Sequence, residues 1–183
     1  MSGLRNSPAL LQYVDDELLR APLLFDQIVE GATEHARHAL PTMSMFERNV
    51  AGETIEALQA KRARLAERYV ESLRVQVETE LAKPDALAAA PSRAAMPVVL
   101  ALVEEDAVAL EVEQSHIVQL VRSTAEQEMR ELATFLAALV GDMDVAQDHN
   151  PFPPDVHVRA LWTAAQALPL TRGHQMQFMR WAG

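Results

Sequence analysis

The amino-acid sequence predicts an all-α protein, a helical bundle with two long helices at about 43–82 and 104–141 and shorter helices flanking them. Three observations carry that reading. Strong helix formers, chiefly Ala, Leu, Glu, Gln and Arg, dominate the 183 residues, while aromatics make up 5% and glycines number only six. Apolar residues recur at steps of three, four and seven over long proline-free stretches. Prolines stand where one helix must stop and the next begin.

Ser7-Pro8 reads as a cap followed by proline in the first turn, opening a helix through Leu10, Leu11, Val14, Leu18 and Leu19 that Pro22 ends. A second helix covers about 23–39, with Leu24, Ile28 and Ala32 beside Phe25 and Val29, and stops at Pro41. The third runs from about Thr42 to Ala82 on a stripe of Phe46, Val50, Ile55, Leu58, Leu65, Tyr69, Leu73, Val77 and Leu81. Forty helical residues reach roughly 60 Å, so a kink at Gly52 or a protruding end is expected.

Residues 83–97, KPDALAAAPSRAAMP, form the expected linker between segments 1–82 and 98–183, which either move separately or pack as one domain. Val98–Val103 has strand-like composition but no partner strand and is discounted. The next long helix, 104–141, opens on Glu104, Glu105 and Asp106, where the helix dipole favours negative charge. Its stripe is Leu110, Ile117, Val121, Ala125, Met129, Leu132, Leu136 and Leu139, and Gly141 ends it. Asp148–Asp155, DHNPFPPD, imposes an extended corner before a helix at about 155–168 and a last short one after Thr171.

Charge and composition narrow the function classes. The formal net charge is −10, made of −3 in residues 1–97 (11 basic, 14 acidic) and −7 in residues 98–183 (5 basic, 12 acidic). Such a balance disfavours nucleic acid and anionic membrane as partners. The absence of cysteine rules out disulfides, thiol catalysis and cysteine-held metals. No signal-peptide core stands at the N-terminus, and no apolar run approaches the ~20 residues of a membrane span, so a cytoplasmic protein is expected.

Few residues suggest chemistry. Glu113 and His116 make one Glu-x-x-His step, half of what a di-iron bundle requires, and no other histidine has Glu three residues before it. His35 and His38, with Glu34, share a helix face and would need a third ligand to hold a metal; near a helix C-terminus they serve equally well to complement the dipole. The triplets Asp15-Asp16-Glu17 and Glu104-Glu105-Asp106 read as solvated helix faces rather than catalytic pairs. No phosphate loop, serine elbow or His-Glu-x-x-His step is present, and neither a catalytic residue nor a cofactor is implied.

The strongest charge feature is a basic stripe: Lys61, Arg62, Arg64, Arg68 and Arg74 place five of the sixteen basic residues within fourteen positions. Lys61, Arg64 and Arg68 lie a turn apart and would meet an acidic protein surface or a small anion. Glu67 and Glu71 interleave them, and the plainer reading is a solvated helix face with internal ion pairs. At the C-terminal end, Met176, Phe178, Met179 and Trp181 spread apolar surface over more than one helix face, which needs neighbours on both sides. Self-association through these four residues is the expectation, giving a dimer at micromolar concentration.

The stretch ELATFLAALVGD, then HNPFPPDVHVRALWTAAQALPL, resembles domain-of-unknown-function family 1631, long helical proteobacterial proteins of which some carry the name thymidine phosphorylase. The shared motif is Asn-Pro-x-x-Pro, here Asn150, Pro151 and Pro154, entered from a helix that ends near a glycine. The acidic segment Leu100–Glu113 also matches. The resemblance covers about residues 98–180 and implies a mostly helical protein, either a shortened relative or an N-terminal portion. It brings no catalytic residue, and the phosphorylase name gains nothing from a chain without a glycine-rich phosphate site. The leading expectation is a non-enzymatic helical adaptor or regulatory module working through protein–protein contacts. A regulator answering to a small anionic ligand or nucleotide at Lys61–Arg68 is the alternative, and an enzyme acting through His35 and His38 comes third.

Overall fold

The computed structural model describes residues 7–83, 105–140 and 150–183. Over them the chain forms six α-helices and no strand: α1 (Pro8–Ala39), α2 (Met45–Ala82), α3 (Glu105–Thr124), α4 (Glu126–Val140), α5 (Pro154–Ala165) and α6 (Arg172–Ala182). The all-α bundle stands. The linker at 83–97 lies, Lys83 apart, outside the described residues, as do Val98–Val103 and Gly141.

Pro22 does not end a helix. α1 runs through it as one element of 32 residues, burying Leu10, Val14, Leu18, Ala21, Phe25, Val29, Ala32 and Ala36. Proline inside a helix removes one hydrogen bond and costs ~3 kcal/mol. Here it stands on the exposed flank, where the freed Leu18 carbonyl can turn toward water, while the buried stripe continues past it at steps of three and four.

A single 3-10 turn, Leu40–Thr42, reverses the chain, and α2 then starts on a capping box. Glu47 N donates to Ser44 Oγ at 3.3 Å, and Ser44 N donates to Glu47 Oε2 at 2.7 Å. The 38 residues of α2 pass Gly52 without a break, and a Cβ there would meet nothing within 4 Å. Leu58, Leu65, Tyr69, Leu73 and Val77 are buried as the stripe predicts. Its first turns differ: Phe46 is 76% exposed, and Ala51 and Thr54 take the inner positions. Thr54 can be buried because its hydroxyl donates to Val50 O at 2.7 Å.

The expected helix at 104–141 is two. α3 and α4 meet at Ala125, across which Ala125 N still donates to Val121 O and Met129 N to Ala125 O, both at 2.9 Å. The interruption lets the halves serve different neighbours, α3 packing on α5 and α4 on α1. Before α5, the Asn150 side chain accepts from Phe152 N at 2.9 Å, a local turn that aims Pro153-Pro154 into the helix start.

α5 is buried nearly all round. Val156, Ala160, Ala164 and Ala165 have no exposure, and the helix contacts α2, α3 and α6. The main cluster of buried side chains joins Val14–Ala36 of α1 and Ala51–Val77 of α2 to Phe152–Trp181. The segments on either side of the expected linker contribute to one core.

The C-terminal helix is the largest correction. Phe178 (0% exposed), Met179 (1%) and Trp181 (6%) are packed inside this same chain, and Met176 is half-buried. α6 touches α1, α2 and α5 together, so both of its apolar faces have intramolecular partners. The self-association surface expected of Met176, Phe178, Met179 and Trp181 is already covered.

Candidate functional site

Two concave surfaces are built by the packing just described. The first is a groove of about 770 Å³ along the α1–α2 seam. Pro22 forms its α1 wall; Ala63, Ala66 and Val70 supply apolar contacts from α2, and Arg64, Arg68 and Arg74 bring guanidinium groups. Glu67 and Glu71 lie among them, and Arg68 Nη1 donates to Glu71 Oε2 at 3.0 Å. The structure thus brings Arg64 and Arg68 into one groove with Arg74, while Lys61 is exposed outside its lining. Arg62 has a different task. Its Nε donates to Asp26 Oδ1 and its Nη2 to Glu30 Oε1 at 3.0 Å, pinning α2 to α1 at the stripe position between Leu58 and Leu65. These carboxylates raise its pKa further, the Asp26 hydrogen bond contributing most.

The second is a cavity of about 450 Å³ lined chiefly by α1, α3, α4 and α5, with Leu73 of α2 and Ala182 of α6. His157 of α5 lines it. The imidazole Nδ1 lies 2.8 Å from Tyr69 Oη, and the ring stacks with Phe152 at 5.9 Å between centroids. Burial pushes the imidazole pKa down to about 4, against an opposing pull from Asp155, so the ring is neutral at physiological pH. Tyr69 is fully buried, and burial raises its phenol pKa as well. The Tyr69 hydroxyl has no other partner among the described residues. Donation from that hydroxyl to Nδ1 satisfies both atoms and leaves the proton of the neutral ring on Nε2. At the cavity edge Tyr13 stands edge-on between Phe135 (5.8 Å) and Phe152 (5.9 Å), and Glu17 accepts from Arg20 at 2.9 Å.

The remaining sequence candidates are dispersed. His35, His38 and Glu34 are exposed on a shallow surface near the end of α1, with His38 Nε2 4.0 Å from Glu34 Oε1. Glu113 is taken by Arg180, whose Nε and Nη2 donate to its two oxygens at 2.8 and 3.3 Å, and His116 beside it points to solvent. Among the described residues no three His, Asp or Glu side chains converge as metal ligands. Asp15 and Asp16 are exposed, Glu17 is half-buried against Arg20, and the side chains of Glu104–Asp106 lie outside the described residues.

Comparison with known families gives a match. The model of the DUF1631 N-terminal domain, a protein of unknown function, matches residues 24–180. The chain belongs to the DUF1631 family. No curated protein and no solved structure matches it. The match takes in α2 to α5 entirely, half of α1 and most of α6, so both concave surfaces fall largely within the DUF1631 domain. Asn150, Pro151 and Pro154, the residues that carry the resemblance, act structurally: they turn the chain into the buried helix that presents His157. No helix among the described residues is long and apolar enough to cross a membrane.

Sequence reasoning missed His157, Tyr13 and the role of Arg62. A signal for His157 existed. It stands three residues after Pro154 and four before Leu161, on the apolar side of a helix, where a histidine must find a hydrogen-bond partner. Nothing in the sequence pairs it with a tyrosine 88 residues earlier.

Proposed function

We propose that this DUF1631 domain is a non-enzymatic, cytoplasmic helical adaptor or regulatory module that docks a protein partner in the α1–α2 groove. The observation that carries the reading is the pairing of apolar and basic groups there. Pro22 lines the groove together with Arg64, Arg68 and Arg74, and Leu19 and Leu23, which flank Pro22 on α1 at helical spacing, are 80% and 62% exposed. Large aliphatic side chains next to arginines suit an amphipathic helix with an acidic face: the leucines take its apolar stripe and the arginines its carboxylates. A positive groove on a chain of net charge −10 also selects its partner by charge. Glu67 and Glu71 within the groove disfavour a phosphate backbone.

The alternative, a small anion held by Lys61, Arg64 and Arg68, would need Lys61 to turn into the groove and Arg68 to leave Glu71. Photo-crosslinking separates the two. A photoreactive amino acid at position 23 or 68 is expected to capture the same protein in cells, while one at exposed position 119 on α3 does not. Reversing Arg64, Arg68 and Arg74 to Glu should abolish the capture with the fold intact. Equal capture at all three positions, or indifference to the charge reversal, would reject the groove as the docking site. Capture of a second copy would make the module a homodimer.

A further inference from the structure

We propose that the cavity between α1, α3, α4 and α5 is a binding site for an uncharged, apolar small molecule carrying one carbonyl-type acceptor, which Nε2–H of His157 recognises. Its volume of about 450 Å³ falls within the range of roughly 300–1,000 Å³ typical of small-molecule sites. All six helices contribute apolar lining, chiefly α1, α3, α4 and α5 through Ile28, Ile117, Val121, Met129, Leu132 and Leu161. A ligand there would exchange water for hydrocarbon over much of its surface.

The polar groups define the ligand's head. His157 lines the cavity, and its Nδ1 is occupied by Tyr69, which does not line it. The ring nitrogen left without a partner among the described residues is Nε2; with the Tyr69 hydroxyl donating to Nδ1 it carries the proton, so His157 can offer the site a neutral donor. The half-buried Tyr13 hydroxyl meets no partner among the described residues and stands at the edge as a second donor. The only formal charges in the lining, Glu17 and Arg20, already neutralise each other at 2.9 Å. A carboxylate or ammonium drawn into this cavity would shed its hydration without gaining a free counter-charge. A ketone, ester or amide of modest size satisfies both the walls and the donor.

The neutral ketone dye 6-propionyl-2-(dimethylamino)naphthalene provides the test, with full-length protein at neutral pH. Saturable binding of one dye per chain with a blue-shifted emission is expected. Met129→Trp on α4 and Leu24→Trp on α1 fill the cavity from different walls, and each should abolish binding while thermal unfolding remains cooperative. His157→Phe keeps the ring but removes the donor, and should weaken binding roughly two- to tenfold. On the wild type, 2-decanone should displace the dye and decanoate should not. Absence of saturable binding, binding untouched by a folded tryptophan variant, or displacement by decanoate as effective as by 2-decanone would each overturn the proposal. The competition on wild type decides even where a tryptophan variant does not fold.

Discussion

Phe178→Ala is expected to destabilise the chain by about 3–5 kcal/mol, the range for emptying a buried aromatic position. Phe178 is fully buried where α6 meets α1, α2 and α5, and Met179 and Trp181 are buried with it. Urea unfolding should show a lower midpoint with little change in slope, since the surface exposed on unfolding is nearly the same. Phe178→Glu would place an unpaired carboxylate in that site, and it should leave α6 undocked or the chain unfolded. A surface that served association instead would behave otherwise. Both substitutions would then shift oligomeric state at constant monomer stability. An unfolding midpoint for Phe178→Ala indistinguishable from wild type would mean that α6 is not packed into the core.

That helix also shows where the sequence stops being legible. Its composition correctly demands neighbours on more than one face. No one-dimensional pattern says whether those neighbours belong to the same chain, and here α1, α2 and α5 supply them. Pro22 is a second instance. Proline carries a local cost that ordinarily ends a helix, but the buried series Leu18, Ala21, Phe25, Val29 binds both sides of it to one partner, and tertiary packing overrides the local preference. Where the apolar period was long and strong the reading was accurate, as in Leu58–Val77 of α2. It failed at Ala51 and Thr54, whose side chains are too weakly apolar to register as a stripe.

Charge was the least transparent feature. Lys61, Arg62, Arg64 and Arg68 look alike in a row, but their tasks differ by helix position. Arg62 points into the α1–α2 seam and bonds Asp26 and Glu30, Arg64 and Arg68 face the groove, and Lys61 faces water. The separation follows from a helical step of about 100° per residue, which turns adjacent cations to different surfaces. Which of those surfaces carries a carboxylate from another helix is a tertiary fact, and the shared face of Leu19, Pro22 and Leu23 is visible only once α1 is continuous.

Acidification should weaken the fold through the Tyr69–His157 pair. The His157 pKa is pushed from an ordinary value of 6.5 down to about 4 by burial, so between those limits the unfolded chain binds a proton that the folded chain refuses. The associated stability is fully present above about pH 6.5 and is lost as pH falls toward 4. At about 1.4 kcal/mol per unit the loss is at most ~3 kcal/mol, reduced to the extent that solvent reaches the ring. Protonation would also put a second proton on the ring, at Nδ1, ending its role as acceptor for the Tyr69 hydroxyl beside the α2–α5 packing. The double variant Tyr69→Phe/His157→Phe removes the titrating ring and its partner together, so no orphaned hydroxyl confuses the result. Unfolding free energies from urea titrations at about pH 7 and about pH 4.5 should fall for wild type by roughly 2 kcal/mol more than for the double variant. The exposed histidines and every carboxylate are common to both proteins and cancel in the difference. Parallel pH profiles for the two would show that His157 is not held neutral by the fold.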